Sequence, residues 1–443
     1  MHKEIVGVFP GQGSYAPGRL AEFADEPAVR EILEITDAVG AAHGIDPVSS
    51  LLLYPDAPGI DVLAQNAPER LMLAIFAAGT TGHAILSTIH GVSFDVFLGH
   101  SFGEIAALTA AGAFTVENGA RVLCLRSEAL RSSPPPPGGL VAVPLPADRV
   151  EHLLLGGGFH RLEIAAVNAP RQSVVSGPDD ELERFARITA ALGAPVSRLP
   201  SPYIFHNRLC EPAARAFAES IASVATQPLT ARVFSSVENG FYPDSETARA
   251  ALPGHLTRPV RYLDAVRHLN AHGADTFVEC GTGNILTALA CRAVADVSTV
   301  AMFGESPLAS QLEKIRTAAP ARTSESAASG TARTVNPAPS VQPPAKQKDI
   351  SSSPETDLDR DRLIAELCSA YADHLGYPEE VFTSDADLEA DLGVDSLKRT
   401  ELLRWTADKY RLGTLPEGTR TGDYPTVAAI AELILRPGEA QNV

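Results

Sequence analysis

Short apolar runs alternate with helical patterns over the first three quarters of the chain. Seven runs rich in β-branched residues are predicted to be strands: IVGVF, VFLG, LVAVPL, LEIAAV, SVVSG, RVFSSV and TFVEC. Apolar residues at helical spacing occur between them, for example in AVREILEITDAV, LMLAIFAAGTTGHAIL, GEIAALTAAG and LERFARITAALG. This alternation predicts an α/β domain with a mostly parallel sheet.

Residues from about 138 to 198 have an order of their own. Strand and helix patterns follow one another there as β, α, β, β, α, with the helices near residues 149–155 and 180–192. This order predicts a small inserted subdomain of ferredoxin-like type.

The pattern changes between residues 316 and 356, where Pro, Ala, Ser and Thr dominate and aromatic residues are absent. Such a segment buries too little apolar area to offset the entropy of ordering it, so it is predicted to be a disordered linker. It separates a first domain, residues 1–315, from a second, residues 357–443. The second domain shows three helical patterns and no strand pattern, which predicts a small four-helix domain.

Composition and charge narrow the classes of function. The 443 residues are 45% apolar, and 36 basic against 54 acidic residues give a net charge of −18. A strongly acidic chain is a poor partner for nucleic acid or a membrane surface, so neither is expected. Residues 357–443 carry 18 acidic and 9 basic residues, a net −9, which suits either a solvated bundle or docking on basic partners.

The N-terminus and the cysteines indicate a cytoplasmic protein. The opening apolar run ends at Pro10, too early for a secretory signal, and no stretch is expected to reach the roughly 18 apolar residues of a membrane span. The five cysteines are scattered without a C-x-x-C pair, which argues against disulfides and against a zinc site.

LGHSFGE places Ser101 between two glycines where a predicted strand meets a predicted helix. Serine is a preferred N-cap residue, so a purely structural role is one interpretation. The other is a nucleophile elbow, the strand-turn-helix context that a G-x-S-x-G motif requires. The motif alone leaves both open.

Five further segments accompany this motif in order: FPGQGS before it, then RVLCLRSEALR, AAVNAPRQSVVSG, YIFHN and VECGTGNILTAL. Together with GHSFGE they resemble the malonyl-CoA:acyl carrier protein transacylases and the acyltransferase domains of polyketide synthases, over roughly residues 4–305. The resemblance implies an α/β hydrolase-like acyltransferase core. Residues 11–16 also fit a dinucleotide-binding fingerprint. This interpretation is the weaker one, because no second strand ending in an acidic residue follows.

The resemblance also implies a catalytic set. Ser101 would be the nucleophile and His206 its general base. A backbone carbonyl, which by similarity falls on His255, would orient His206 in place of a carboxylate. The backbone N–H groups of Gln12 and Phe102 would hold the developing oxyanion.

Three more residues bear on the acyl group. In the resembled family, Arg126 corresponds to the arginine that binds the malonyl carboxylate, for which a planar guanidinium is well suited. The family places His-Ala-Phe-His at the catalytic histidine for malonyl and Tyr-Ala-Ser-His for methylmalonyl selection, and this chain, with Tyr203 and Phe205, mixes the two. Because Phe205 would fill the space of an α-methyl group, malonyl is favoured, and methylmalonyl or an unusual extender stays open.

DLGVDSLKRTELL in the second domain resembles the attachment motif of acyl carrier proteins. Ser396 would carry covalent 4'-phosphopantetheine, added by a phosphopantetheinyl transferase; the alternative is a simple N-cap. Leu388, Leu392, Val394, Leu397 and Leu402 are predicted core residues of this domain.

The expected function is therefore acyl transfer from coenzyme A through Ser101 to the pantetheine thiol on Ser396 or on a separate carrier. Because no condensing-enzyme sequence is present, a ketosynthase on another chain is the expected partner, in polyketide or fatty-acid assembly. Two alternatives stay open: an acyl-thioester hydrolase that clears stalled carriers, and a catalytically silent carrier and docking scaffold.

Overall fold

A computed structural model describes residues 4–295, 297–303, 310–313 and 315, together with parts of the segment 360–435. In that last segment the described residues are 360, 363–368, 370–371, 383–384, 387–388, 399, 402–403, 405–406, 409–410, 424 and 426–435. The chain divides into two compact units, Met1–Pro320 and Ala321–Val443. The predicted linker lies outside the described residues.

Up to residue 303 the described part of the first unit contains ten strands and twelve α-helices, and the described residues 310–313 and 315 are also helical. The strands are β1 (Glu4–Phe9), β2 (Val96–Gly99), β3 (Gly138–Val143), β4 (Glu163–Ala169), β5 (Gln172–Pro178), β6 (Ser197–Arg198), β7 (Arg232–Ser235), β8 (Gly240–Phe241), β9 (Ala274–Glu279) and β10 (Ser298–Ala301). The helices are α1 (Pro27–Ala42), α2 (Ser49–Leu53), α3 (Ile60–Asn66), α4 (Pro68–Ala84), α5 (Gly103–Ala110), α6 (Val116–Ser132), α7 (Ala147–Gly156), α8 (Asp179–Ala191), α9 (Glu211–Ile221), α10 (Ser245–Ala251), α11 (Tyr262–Ala271) and α12 (Ile285–Ala293). Short 3-10 turns occupy Ala21–Phe23, Arg208–Cys210 and Leu252–Leu256, and a π-helical turn, Ile85–Ile89, continues α4.

The larger sheet has six strands in the order β10-β9-β1-β2-β7-β8. All neighbours are parallel except the two-residue strand β8, which is antiparallel to β7. The predicted parallel α/β sheet is thereby confirmed. Phe9 is paired with Gly99, so β1 and β2 end side by side and the loops that follow them share one edge of the sheet.

Strands β3 to β6 form a second sheet of order β4-β5-β3-β6, in which all neighbours are antiparallel. Helices α7 and α8 contribute to a separate hydrophobic core that includes Val150, Leu182 and Phe185. We call residues 138–198 the subdomain.

The subdomain is hydrogen-bonded to the segment before α11. The N–H of Val167 donates to the carbonyl of Val260, and the N–H of Val260 donates to the carbonyl of Ala165, both at 2.9 Å. On β5, the carbonyl of Ser176 accepts a 3.1 Å hydrogen bond from the amide of Asn207. The subdomain therefore borders the loop that carries residue 206.

Helix α4 and its π-helical continuation correct one expectation. Residues Pro68–Ile89 form a helix that is long and apolar enough, by length and composition, to cross a membrane. However, 72% of its apolar window is buried inside the protein. It packs against α1, α3, α5 and α6, as a core helix does.

The second unit has its own small core. Helix α13 (Val427–Leu435) contributes Val427 and Ile430, and Leu388 and Leu402 lie in the same cluster. The predicted attachment residue Ser396 lies outside the described residues, as do Leu392, Val394 and Leu397.

Candidate active site

Ser101 occupies a strained turn at the shared edge of β1 and β2. Strand β2 ends at Gly99, α5 begins at Gly103, and Ser101 has φ +55°. A non-glycine residue in this region costs of order 1–3 kcal/mol, which the surrounding structure must offset. The turn therefore presents the Ser101 side chain in a conformation that ordinary strand-to-helix connections avoid.

Two glycines make this turn possible by allowing close approach of backbone. A Cβ on Gly99 would lie 2.1 Å from Cα of Glu104, and a Cβ on Gly103 would lie 2.3 Å from the carbonyl oxygen of Phe9. No side chain fits at either position. The two glycines thus allow the start of α5 to pack closely against both β2 and the end of β1.

The geometry answers whether Ser101 only caps α5. The N-cap of that helix is Phe102, and no side chain caps it. The hydroxyl of Ser101 lies instead 2.7 Å from Nε2 of His206, within hydrogen-bond distance. This pairing is the arrangement that activation of a serine hydroxyl by an imidazole base requires.

Backbone contacts define which tautomer His206 adopts. Its Nδ1 lies 2.8 Å from the carbonyl oxygen of Arg258. A carbonyl only accepts hydrogen bonds, so Nδ1 carries the proton and Nε2 has a free lone pair for the hydroxyl of Ser101. His206 itself has φ +55°, a second strained non-glycine residue in the same site.

This contact corrects the assignment of the orienting carbonyl to His255. The carbonyl belongs to Arg258, three residues further on and beyond the 3-10 turn Leu252–Leu256 that contains His255. The side chain of His255 is not incidental either. It is buried, with Nε2 at 3.2 Å from Oε1 of the fully buried Glu104.

The environment of His206 keeps the ring neutral. Burial lowers the pKa of His206 to about 3, and the positive charges of neighbouring groups, Arg126 among them, act in the same direction, while the hydrogen bond to Arg258 opposes them. At neutral pH the imidazole is therefore unprotonated and able to accept the proton of Ser101.

Two backbone donors are available beside Ser101. The N–H groups of Gln12 and Phe102 have no acceptor within the part of the chain that the structure describes. Gln12 follows β1 and Phe102 follows the nucleophile, so both lie on loops at the shared strand edge. The side-chain amide of Gln12 donates to the carbonyl of Pro200 at 2.6 Å, which ties this loop to the segment leading to His206.

Arg126 is a buried cation with no carboxylate partner in the part of the chain that the structure describes. It projects from α6, is 2% exposed, and forms no ion pair with any described Asp or Glu. Its Nη1 donates to Sδ of Met72 at 3.1 Å, and burial lowers its pKa to about 10, so it remains charged at neutral pH. An uncompensated buried charge is costly, and such a site is favourable for an anionic ligand.

Aromatic rings link Arg126 to the residues next to Ser101 and His206 in the sequence. Its guanidinium carbon lies 4.6 Å from the ring centroid of Phe205 and 5.7 Å from that of Phe102. Phe205 precedes His206, and Phe102 follows Ser101. Tyr203 packs edge-on against Phe205 with ring centroids 5.8 Å apart.

The structure adds residues that the sequence analysis missed. His100 Nε2 lies 2.8 Å from Oδ1 of Asn168, which links the elbow to the subdomain. Met72 contacts Arg126, Pro200 accepts a hydrogen bond from Gln12, and Tyr242 donates a hydrogen bond to Glu104. Only Arg258 has a sequence signal: a residue before proline is restricted to extended conformations, which makes it suited to present a carbonyl. Among described residues, no three His, Cys, Asp or Glu side chains are grouped as metal ligands.

Family models match both parts of the chain. Residues 6–322 match the acyl transferase domain, and residues 365–434 match the phosphopantetheine attachment site. The chain belongs to the acyl transferase domain family and is an acyltransferase with an attached phosphopantetheine-binding domain, which implies a covalent phosphopantetheine group.

Curated relatives are polyketide synthases. The spectinabilin polyketide synthase system protein NorA' of Streptomyces orinoci is 34% identical over 300 residues, which is 66% of this chain and 8% of that protein. Mycoketide-CoA synthase of Mycobacterium tuberculosis is 30% identical over 300 residues, 68% of this chain and 7% of the relative. The chain thus spans less than a tenth of the length of either.

Solved structures share the fold of the first unit. An acyl-carrier-protein S-malonyltransferase from Burkholderia pseudomallei superposes with a TM-score of 0.64 at 27% identity, covering 70% of this chain and 99% of that one. A loading acyltransferase from the avermectin modular polyketide synthase gives a TM-score of 0.63 at 27% identity, again over 70% and 99%.

Proposed function

We propose that this chain transfers a malonyl group from coenzyme A, through an ester on Ser101, to the thiol of a phosphopantetheine-bearing carrier. One observation carries the proposal: an unpaired, buried guanidinium contacts the rings of Phe102 and Phe205, the neighbours in sequence of a hydrogen-bonded serine and neutral histidine. A nucleophile, a base and a carboxylate-binding cation then surround one acyl group.

In the first half-reaction, Ser101 Oγ attacks the thioester carbonyl carbon while His206 Nε2 takes the hydroxyl proton. The N–H groups of Gln12 and Phe102 donate to the oxygen that becomes negative. When the C–S bond breaks, His206 returns the proton to the departing thiolate of coenzyme A, and the acyl group remains on Ser101.

In the second half-reaction, His206 removes the proton of the accepting thiol, and its sulfur forms a bond to the acyl carbon of the Ser101 ester. The bond from that carbon to Ser101 Oγ then breaks, and His206 returns the proton to the serine oxygen. Bound phosphopantetheine supplies that thiol. Arg258 holds His206 in the same tautomer in both directions, so one imidazole serves as base and then as acid.

Arg126 and Phe205 support malonyl as the acyl group. The carboxylate of malonyl can accept two parallel hydrogen bonds from the guanidinium, which an acetyl group cannot. The ring of Phe205 is buried and packed against Arg126, where an α-methyl branch on the acyl group would need room. This favours malonyl over methylmalonyl.

Ser396 is our proposed attachment site, modified by a phosphopantetheinyl transferase, and a four-helix fold is our proposal for the domain around it. We also take the subdomain to be ferredoxin-like, on its strand order. A ketosynthase would use the loaded carrier, in polyketide or related fatty-acid assembly, and the polyketide synthase among the curated relatives supports the polyketide context.

Intact mass spectrometry of the phosphopantetheinylated chain tests the proposal. The protein is offered malonyl-, methylmalonyl- and acetyl-CoA in turn, beside three variants. Ser101→Ala should take no acyl group, whereas Ser396→Ala should acquire a malonyl ester on Ser101 and none on a pantetheine arm. Ser173→Ala, which removes a buried hydroxyl that donates to Leu145, is the matched control and should behave as wild type.

Each alternative has its own signature in this experiment. Equal loading from acetyl- and malonyl-CoA would reject the role of Arg126. Release of free malonate without any adduct would indicate a hydrolase. Absence of both adduct and hydrolysis in the wild-type chain would indicate a silent scaffold.

A further inference from the structure

A second polar cluster lies buried beneath the reacting pair. Glu104 is completely buried although it carries a carboxylate. Its Oε1 accepts a hydrogen bond from the Tyr242 hydroxyl at 2.6 Å, and His255 Nε2 lies 3.2 Å from the same oxygen. None of these side chains belongs to the reaction described above.

Glu104 is attached directly to the nucleophile elbow. Its backbone N–H donates to the carbonyl of Ser101 at 3.1 Å, in the first turn leading into α5. The backbone of Glu104 also lies against Gly99, where even a Cβ would clash. A displacement of Glu104 would therefore move the turn that presents Ser101.

His255 is attached in the same way to the base. It lies in the 3-10 turn Leu252–Leu256, and the next residue, Leu256, accepts a 3.1 Å hydrogen bond from the N–H of Asn207. Three residues after His255, the carbonyl of Arg258 accepts from Nδ1 of His206. The segment from His255 to Arg258 thus contacts the ring of His206 and the backbone of the next residue, Asn207.

These contacts close a ring of interactions. It runs from Ser101 through Glu104 to His255, along the chain to Arg258, across to His206 and back to Ser101. Contact between Glu104 and His255 is a side-chain link between the elbow and the turn that contains His255. Without it, the distance between Ser101 and His206 depends on separate parts of the fold.

Burial of this carboxylate is unfavourable by itself. Glu104 Oε2 and His255 Nε2 have no aligned hydrogen-bond partner among the described residues. Polar groups buried in this way normally lower stability unless they are fully paired. An apolar pair of similar volume would pack the same space at lower cost, which argues for a role in geometry rather than in stability.

We propose that Glu104 and His255, with Tyr242 holding the carboxylate, are positioning residues that keep Ser101 and His206 at hydrogen-bond distance. The inference rests on the proposed function only in taking Ser101 as the nucleophile. It requires no particular acyl donor.

A fluorophosphonate probe measures the reactivity of Ser101 independently of the acyl donor. Ser101 Oγ forms a bond to phosphorus, fluoride leaves, and the hydroxyl proton passes to His206, so the labelling rate reports the reacting pair itself. Labelling rate, malonyl-CoA half-reaction kinetics and unfolding stability are measured on wild type, His255→Ala, His255→Gln and Tyr242→Phe. His83→Ala is the matched control, because His83 packs against Phe9, Phe94 and Phe97 away from the ring of contacts.

We expect His255→Ala to lose on the order of 100-fold in labelling rate and in kcat, with KM unchanged, as a misplacement of about 1 Å would produce. His255→Gln should restore most of the rate, because its amide nitrogen can take the place of Nε2. Tyr242→Phe keeps the ring but removes the hydroxyl that holds the Glu104 carboxylate, so its labelling rate should fall about tenfold. His83→Ala should lose stability without loss of labelling rate per folded molecule.

Unchanged labelling in both His255→Ala and Tyr242→Phe would overturn the proposal, as would losses that merely follow stability and appear equally in His83→Ala. Failure of His255→Gln to recover would also contradict it. If wild type reacts with the probe but takes no malonyl group, the proposed function fails while the labelling rates still judge the positioning role.

Discussion

Arg126→Met removes the buried charge while retaining a long, flexible side chain. Methionine has a similar unbranched stem, and it can pack against Met72 and the ring of Phe205 as the arginine does. The substitution therefore separates the cost of burying the guanidinium from the packing of its stem. We predict a variant that is more stable and much less active.

The gain in stability follows from the pKa of Arg126. Its pKa decreases from 12.5 to about 10 on folding. This shift means that burying the charged guanidinium destabilises the folded state by about 3 kcal/mol. Below pH 10 the arginine is protonated in both folded and unfolded states, so this cost is fully present at neutral pH. Lost cation–π contacts with Phe102 and Phe205 offset about 1–2 kcal/mol of the gain. The net expectation is about 1–2 kcal/mol of added stability, or roughly 2–6 °C in Tm.

Loss of activity should be specific to acyl groups with a carboxylate. Two charge-assisted hydrogen bonds of about 1.5–3 kcal/mol each correspond to a decrease of about 10²- to 10⁴-fold in kcat/KM for malonyl-CoA. Acetyl-CoA has no group to lose, so its slow reaction should change little.

The assay follows acylation of Ser101 by intact mass, with urea unfolding in parallel. Arg121→Met on the exposed face of the same helix is the control and should alter neither property. A variant less stable than wild type, or one retaining malonyl kcat/KM within about fivefold, would refute the reasoning.

Three further predictions concern other parts of the first unit. Gln12→Leu removes the hydrogen bond to Pro200 but keeps the backbone N–H, so we expect kcat to fall about tenfold. Discrimination against methylmalonyl-CoA should also weaken, because the segment released from Gln12 carries Tyr203 and Phe205. Unchanged competition between malonyl-CoA and methylmalonyl-CoA would count against this. Burial lowers the pKa of His83 to about 4, so the unfolded chain takes up a proton between pH 6.5 and 4 that the folded chain does not. The stability that neutral His83 contributes is present above pH 6.5 and is lost as the pH falls towards 4. His83→Gln should therefore lose up to about 3 kcal/mol less stability than wild type between pH 7 and pH 4, as measured by denaturant titrations at both pH values. Equal losses in the two proteins would contradict the assignment. Gly103→Ala brings a methyl group 2.3 Å from the carbonyl oxygen of Phe9, which should lower the free energy of unfolding by more than about 3 kcal/mol and abolish labelling of Ser101. A variant with the same crystal structure or the same urea unfolding curve as wild type would contradict this.

Regular elements were predictable where apolar periodicity is strong. All seven strand segments named from the sequence occur as strands, and the parallel order of the main sheet agrees with the β/α alternation. The strands β6 and β8 gave no usable signal, because two residues are too few to show a period, and β10 was not predicted either. Helix α4 was underestimated as a continuous apolar element for the opposite reason: its glycines and threonines interrupt the apolar run, yet they are buried against neighbouring helices.

Local sequence by itself determined the chemistry available to this protein. Serine in a glycine-flanked strand-to-helix turn, a histidine, an arginine and a glutamine were recognisable as motifs, because each motif is a short run whose backbone requirements are local. The structure then brings Ser101 to His206 and places Arg126 against the rings beside both of them.

Only the tertiary structure decided which groups support these residues. The carbonyl that orients His206 comes from Arg258 rather than His255, and Glu104, Tyr242 and His255 meet beneath the site from distant parts of the chain. A backbone carbonyl is present at every residue, and a buried carboxylate has no signature that distinguishes it from an exposed one. Their roles arise from where the packed chain directs them, since hydrogen bonds depend on distances of a few tenths of an ångström that no local pattern specifies.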